Sequence, residues 1–141
     1  MYLIDTDVLS EGRKGAAADP GVRGFLVEVA RAETPLYISV ITLGELRQGI
    51  ERIRYRGDSA QANRLEHWLE KVKADYSGNI LPLEDDAAEM WGRLRVPHPQ
   101  NPLDKQIAAI ALIYDLIVVT RNVEHFRPTG VRLRNPFAES G

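Results

Sequence analysis

The chain reads as an α/β protein: a single domain over residues 1–141, with a mostly parallel central sheet of four to five strands and helices on both faces. Three observations point there. Short apolar runs alternate with segments of helical spacing along the whole 141 residues, as expected where strands are joined by helical crossovers. The run Leu116-Ile117-Val118-Val119-Thr120 is continuously apolar up to its last residue, which suits a strand covered on both sides. The first run stops on a carboxylate, Asp5, and open α/β sheets collect their functional groups at the carboxyl ends of strands.

Taken in order, residues 2–5 read as a short buried strand. Val22, Phe25, Leu26 and Val29 have helical spacing and predict a helix to about Ala32. Pro35 breaks it, and Leu36 to Val40 reads as strand. A helix is expected from Ile41 or Thr42 to about Arg56, with Leu43, Leu46, Ile50 and Ile53 on one face. Gly57-Asp58-Ser59 forms a turn and cap before a second long helix that runs to about Tyr76 through Leu65, Trp68, Leu69 and Val72. Ile80 to Leu83 is a short strand and Asp85 to Leu94 a helix. Pro97, Pro99 and Pro102 stiffen a loop. Leu103 to about Tyr114 is a helix rich in small residues, Leu116 to Thr120 the strongest strand, and Val131 to Leu133 a last edge strand.

Composition narrows the chemistry. There is no cysteine, which removes disulfides, thiolate metal sites and cysteine nucleophiles and fits a cytoplasmic protein. No apolar stretch is long enough for a membrane span, and no basic-then-apolar leader is seen. The net charge of -2 gives no global attraction to nucleic acid, so any such binding needs local basic patches. No Gly-rich phosphate loop is present, and Ser10 and Ser39 have no His-Asp pattern beside them.

Three acids are candidates for one rim site. Asp5 ends the first strand, Glu45 lies in the helix after the second, and Asp104 opens the helix before the strongest strand. Strand ends and following helix starts share a face, which joins Asp5 to Glu45. Simple topology does not place Asp104 there, because a helix that feeds a strand is expected to start on the opposite face. Two of the three also have a purely structural reading. Thr42-x-x-Glu45 matches a capping box, and Asn101-Pro102-x-Asp104 matches an N-cap, a proline at N1 and an acid at N3. Acids in a first turn stabilise the helix dipole by roughly 0.3–1 kcal/mol. Clustered carboxylates otherwise repel unless a cation neutralises them. Oxygen ligands without Cys, and without His at metal spacing, favour Mg²⁺ or Mn²⁺ over zinc.

Taken together, Leu3-Ile4-Asp5-Thr6-Asp7-Val8-Leu9, Thr42-x-x-Glu45-Leu46-x-x-Gly49, Pro102-Leu103-Asp104-x-x-Ile107-Ala108-Ala109-x-Ala111 and Val119-Thr120-Arg121-Asn122-x-x-His125-Phe126, with Asn135-Pro136 near the end, resemble the PIN-domain family, and most closely its VapC-type toxin ribonucleases. The resemblance covers essentially the whole chain. It implies a metal-dependent endoribonuclease, with Asp5, Glu45 and Asp104 as the acids that bind Mg²⁺ or Mn²⁺. It also implies a homodimer and a cognate small antitoxin, VapB-like and DNA-binding, whose tail blocks the acids. The family's fourth position, often Asp, is Asn122 here, which adds no charge. Asp7 stands where many members carry Asn; it is an extra acid or the cap of the first helix. Thr120 and Arg121 are placed for second-layer or substrate contacts.

Other features carry blander readings. Arg47, Arg52, Arg54 and Arg56 form a solvated face with ion pairs, or a rim for phosphate or antitoxin. Arg121, Arg127, Arg132 and Arg134 form a second basic group. Glu84-Asp85-Asp86 suits a helix start. His67 and His98 have no metal spacing, and His125 either touches substrate or packs beside Phe126. Two alternatives stand beside the ribonuclease. Asp5-x-Asp7 also resembles the opening of haloacid-dehalogenase-type phosphatases, although none of the 21 residues after Thr120 is the lysine they need. A PIN-like RNA- or partner-binding module with weak or lost catalysis, its acids kept as caps, is the second.

Overall fold

The computed structural model describes residues 1–139. Five strands, β1 (Tyr2–Ile4), β2 (Leu36–Ser39), β3 (Ile80–Leu81), β4 (Ile117–Val119) and β5 (Leu133–Arg134), form one sheet in the order β3-β2-β1-β4-β5. Every neighbouring pair is parallel. Among the described residues the helices are α1 (Thr6–Gly12), α2 (Pro20–Arg31), α3 (Val40–Tyr55), α4 (Ser59–Asp75), α5 (Asp85–Leu94), α6 (Pro102–Tyr114) and the single turn α7 (Val123–Phe126). None is long and apolar enough to cross a membrane.

The alternation of side chains along a strand explains the layers. Leu3 and Val118 face a cluster with Ile107, Ile110 and Phe126, which seats α6 and α7 on one side. Their neighbours Ile4 and Val119 face Val8, Val22, Phe25 and Val29, which seats α1 and α2 on the other. A third cluster, with Leu46, Ile50, Ala62 and Leu69, joins α3 to α4 as a helical hairpin.

Several boundaries differ from the sequence expectation, each for a local reason. α1 begins directly after β1, and its N-cap is Asp5, whose Oδ1 accepts from the Thr6 amide at 2.8 Å; Asp7 is therefore not the cap. β2 passes into α3 with no loop. The β-branched Val40 and Ile41 extend the strand pattern in the sequence, yet both are helical. The N-cap of α3 is Ser39, whose Oγ accepts from the Thr42 amide at 3.2 Å. Glu45 thus lies well inside the helix rather than at N3, and the capping-box reading of Thr42 and Glu45 is overturned. Asn101 does occupy the N-cap position of α6, with Pro102 after it, but in a left-handed conformation (φ 54°) and without a side-chain cap bond. The last edge strand falls at Leu133–Arg134, slightly later than expected.

The objection to Asp104 also falls. α6 turns into β4 through a single left-handed residue, Asp115 (φ 56°), and the Leu116 amide donates back to the Ala111 carbonyl. A helix joined to a strand so tightly runs antiparallel to it, so its first turn lies at the strand's carboxyl end. The loop before α6 is tied down by Trp91 Nε1, which donates to the Pro102 carbonyl at 3.0 Å. Buried Lys105 ties it from the other side, donating to the Gln100 carbonyl.

Candidate metal-dependent active site

The register of the two central strands builds the floor of the site. Leu3 pairs with Val118 and Ile4 with Val119, so the next residues, Asp5 and Thr120, meet at the rim. The Asp5 amide donates to the Val119 carbonyl at 2.9 Å. Thr120 Oγ1 donates to Asp5 Oδ2 at 2.8 Å and accepts from the Asn122 amide at 3.0 Å. Asp5 is only 3% exposed and Thr120 fully buried. Burial first, then repulsion from Asp7 and a smaller effect of Asp104, push the Asp5 carboxyl up to about 7 despite its two hydrogen bonds.

The remaining acids surround it. Glu45 Oε1 accepts from Thr6 Oγ1 at 2.7 Å, and Thr6 in turn lies 3.1 Å from Thr42 Oγ1. Asp7 Oδ1 accepts from the Val8 amide at 2.7 Å and its Oδ2 from the Arg121 amide at 3.0 Å, which ties α1 to the segment after β4. Asp104 Oδ2 lies 2.8 Å from His125 Nδ1. Burial raises the pKa of both Asp7 and Glu45 from its ordinary value, and Asp104 adds to each. The charge of Asp104 is thus felt by Asp5, Asp7 and Glu45 alike. The charge of Arg121 eases Asp7, and its guanidinium sits 3.9 Å from the centre of the Phe137 ring.

The structure therefore brings Asp5, Glu45 and Asp104 to one rim, and adds Asp7 as a fourth acid beside them. Asn122 stands at the start of α7, exposed and with no side-chain cap bond. Nothing in the sequence marks Thr6 or Ser39 as site residues. Hydroxyls that fasten an acid leave no periodic signal, although Thr6 stands between two carboxylates. In the sequence His125 offers only substrate contact or packing beside Phe126; its hold on Asp104 depends on α6 and α7 meeting.

The donor chemistry suits a hard divalent cation: carboxylate oxygens in excess, at a partly desolvated rim, with little positive charge to balance them. As they stand, no three His, Asp or Glu groups among the described residues form a closed ligand set.

Known proteins share the sequence and the fold of this chain. The family model described as PIN domain matches residues 2–130. The chain belongs to the PIN-domain family. Ribonuclease VapC10 of Mycobacterium tuberculosis is 35% identical to this PIN domain, over 100% of this chain and 96% of that protein. VapC ribonuclease Y4jK of Sinorhizobium fredii is 31% identical over 97% of this chain and 98% of its own, and toxin FitB of Neisseria gonorrhoeae is 29% identical over 97% of this chain and 99% of its own. Among solved structures, FitAcB from Neisseria gonorrhoeae superposes with a TM-score of 0.83 at 28% identity, covering 97% of this chain and 99% of that one. The DNA-bound VapBC of Salmonella typhimurium, at 24% identity and a TM-score of 0.75, shares the fold. Membership of the PIN family overturns the phosphatase alternative.

Proposed function

We propose that this PIN domain, taken as residues 1–141, is a divalent-metal-dependent endoribonuclease, the toxin of a toxin–antitoxin pair acting in the cytoplasm. The observation that carries the reading is the convergence of Asp5, Asp7, Glu45 and Asp104 on one strand-end rim, in a fold whose relatives are named VapC ribonucleases. Asp5, Asp104 and Glu45 are the residues that would hold Mg²⁺ or Mn²⁺, with the Asn122 side-chain carbonyl as a neutral fourth donor. When bound, such an ion lowers the pKa of a coordinated water and neutralises phosphate charge.

The chain's own residues do the rest by position. The Thr6 amide and Thr120 hydroxyl hold Asp5 at a fixed angle. Thr6 also holds Glu45, whose raised affinity for protons suits it to accept a hydrogen bond from the attacking water. Arg121, stacked on Phe137, presents a planar cation beside the acids, where a phosphate oxygen of the substrate would approach.

The partners follow the relatives. FitAB and VapBC have been solved bound to DNA, and VapBC-5 of Mycobacterium tuberculosis is described as a member of a toxin–antitoxin family. Their likeness supports a small, VapB-like, DNA-binding antitoxin for this chain; the homodimer is proposed on the sequence resemblance alone. A groove of about 240 Å³ beside Glu45, lined by Thr6, Ser10, Glu45, Gly49, Ile53 and Trp68 among others, is where an antitoxin segment could reach the acids.

The deciding assay is cleavage of defined RNAs with and without EDTA. Wild type should cut only with the metal, and a folded Asp5→Asn protein should not cut at all. Normal cleavage by that variant would sink the site assignment. The binding-module alternative is separated by Mn²⁺ titration: an intact acid set binds Mn²⁺ and weakens on Glu45→Gln, whereas acids serving only as caps do neither.

A further inference from the structure

Helix α3 carries Arg47, Arg52 and Arg54 and is closed by Arg56 as its C-cap, and the structure divides these four arginines into two sets. Arg47 and Arg54 turn toward α4, where Glu66 accepts from them at 2.6 and 3.3 Å and Glu51 lies 3.5 and 2.8 Å away. Arg52 and Arg56 make no ion pair with any described residue. At about 100° per residue, both stand within roughly 20° of Glu45 on the helix surface, and Arg56 lies about 16 Å farther along the axis. Gly49 falls on the same stripe, and the space above its α-carbon is open. Tyr55 flanks the far end with 94% of its surface exposed. A shallow depression of about 680 Å³ is lined there by Gln48, Glu51, Arg52, Arg54, Tyr55 and Arg56.

Arginines near a helix C-terminus complement its dipole, and that alone accounts for cations at this end of α3. It does not account for a water-exposed aromatic ring that shares a depression with two arginines free of ion pairs, at the far end of the stripe that begins at Glu45. Single-stranded nucleic acid is gripped by this combination: cations that follow the backbone and an aromatic face on which a base stacks. In a chain of net charge -2, such a grip has to be local.

We propose that the Glu45–Arg56 stripe of α3 is an RNA track outside the acid site. A strand lying across Glu45 continues over Gly49, sets phosphates on Arg52 and Arg56, and stacks one base on Tyr55. The proposal rests on the ribonuclease reading for its substrate class and adds where the flanking nucleotides run. Because the track ends about 16 Å from Glu45, it acts only on RNAs that extend well past the scissile bond.

The test compares the full chain with Tyr55→Ala and with the double variant Arg52→Glu/Arg56→Glu. Binding is read by fluorescence anisotropy in an Asp5→Asn background, so that it needs no turnover. The probes are a single-stranded RNA of about 16 nucleotides and one of about four, and the purified antitoxin is titrated in parallel. The double variant should bind the long RNA at least tenfold more weakly and flatten the slope of log affinity against log salt by about 1.4, for two lost phosphate contacts. Tyr55→Ala should weaken it about tenfold. The short RNA should bind all three proteins equally, and turnover of the long RNA in the Asp5 background should show a raised KM with kcat unchanged. Equal affinity of all three proteins for the long RNA overturns the track. So does an equal loss on the short RNA, or a loss confined to the antitoxin, which would assign the stripe to the protein partner. Stripe-dependent binding by a wild type that cuts no RNA would keep the track and reject the ribonuclease reading. Cleavage indifferent to the stripe would do the reverse.

Discussion

His125 Nδ1 lies 2.8 Å from Asp104 Oδ2, bridging the first turn of α6 to the turn that follows β4. The contact occupies one carboxylate oxygen of Asp104, whose charge also reaches Asp5, Asp7 and Glu45. Partners that orient a metal ligand are worth about 10–100-fold in metal affinity. His125→Ala should therefore weaken Mn²⁺ binding, measured by calorimetry, about tenfold or more. The loss of stability should be under about 1 kcal/mol, since His125 is 46% exposed. His125→Asn, which can still donate, should recover part of the affinity. Unchanged Mn²⁺ binding in both variants would reduce the pair to a surface contact between α6 and α7.

Thr120 serves two groups with one hydroxyl, donating to Asp5 and accepting from the Asn122 amide. Thr120→Val keeps the shape but removes the partner of Asp5 Oδ2 and of the Asn122 amide, leaving Asp5 with the Thr6 amide bond alone. The expected cost is about 1–3 kcal/mol, a fall in Tm of several degrees, together with reduced cleavage because Asp5 loses its fixed angle. Thr120→Ser should restore both, and a Val variant as stable and active as wild type would contradict the geometry.

The raised pKa of Asp5 has a defined sign in stability. Its carboxyl titrates near 7 in the folded chain against the ordinary value of 3.8, so between those values the folded state holds the proton more tightly. In chelator-treated protein, this group's contribution to stability is therefore greatest below about pH 4. It falls as pH rises and is fully lost above about pH 7, by on the order of 4 kcal/mol. Asp7 and Glu45, also raised, act in the same direction. Thermal melts from pH 5 to 8 should show the wild type losing stability relative to Asp5→Asn. Added Mn²⁺ should reverse the loss in the wild type alone. A wild type that gains on the variant as pH rises in chelator would refute the burial argument.

Asn122→Asp tests the missing charge. Asp is a good N-cap, so α7 should tolerate it. A fourth negative charge at the rim should tighten Mn²⁺ binding several-fold and lower Tm in chelator at pH 8, opposite effects from one substitution. If Mn²⁺ affinity and the chelator melt are both unmoved, position 122 lies outside the field of the acids.

Much of the fold was legible because the side-chain period is local. Leu116 to Val119 reads as a covered strand without help, and Leu46 and Ile50 mark the inner face of α3. Where an element starts was less legible. Ser39 and Thr42 both offer a hydroxyl, and β-branched Val40 and Ile41 favour a strand on their own; α3 starts at Val40 because Leu46 and Ile50 must reach α4.

By itself the sequence singled out the candidate acids: Asp5, because an apolar run stops on it, and Glu45 and Asp104, because their motifs resemble a family's. Only the tertiary structure decided their company. Thr120 lies 115 residues from Asp5 in the chain, and Thr6 lies 39 from Glu45. They meet because β1 is sandwiched between β2 and β4, a pairing set by how the whole chain buries its apolar faces and invisible to any local pattern. The same burial strips water from Asp5 and raises its pKa. The residue type was readable from the start; its partners and its charge state belong to the fold.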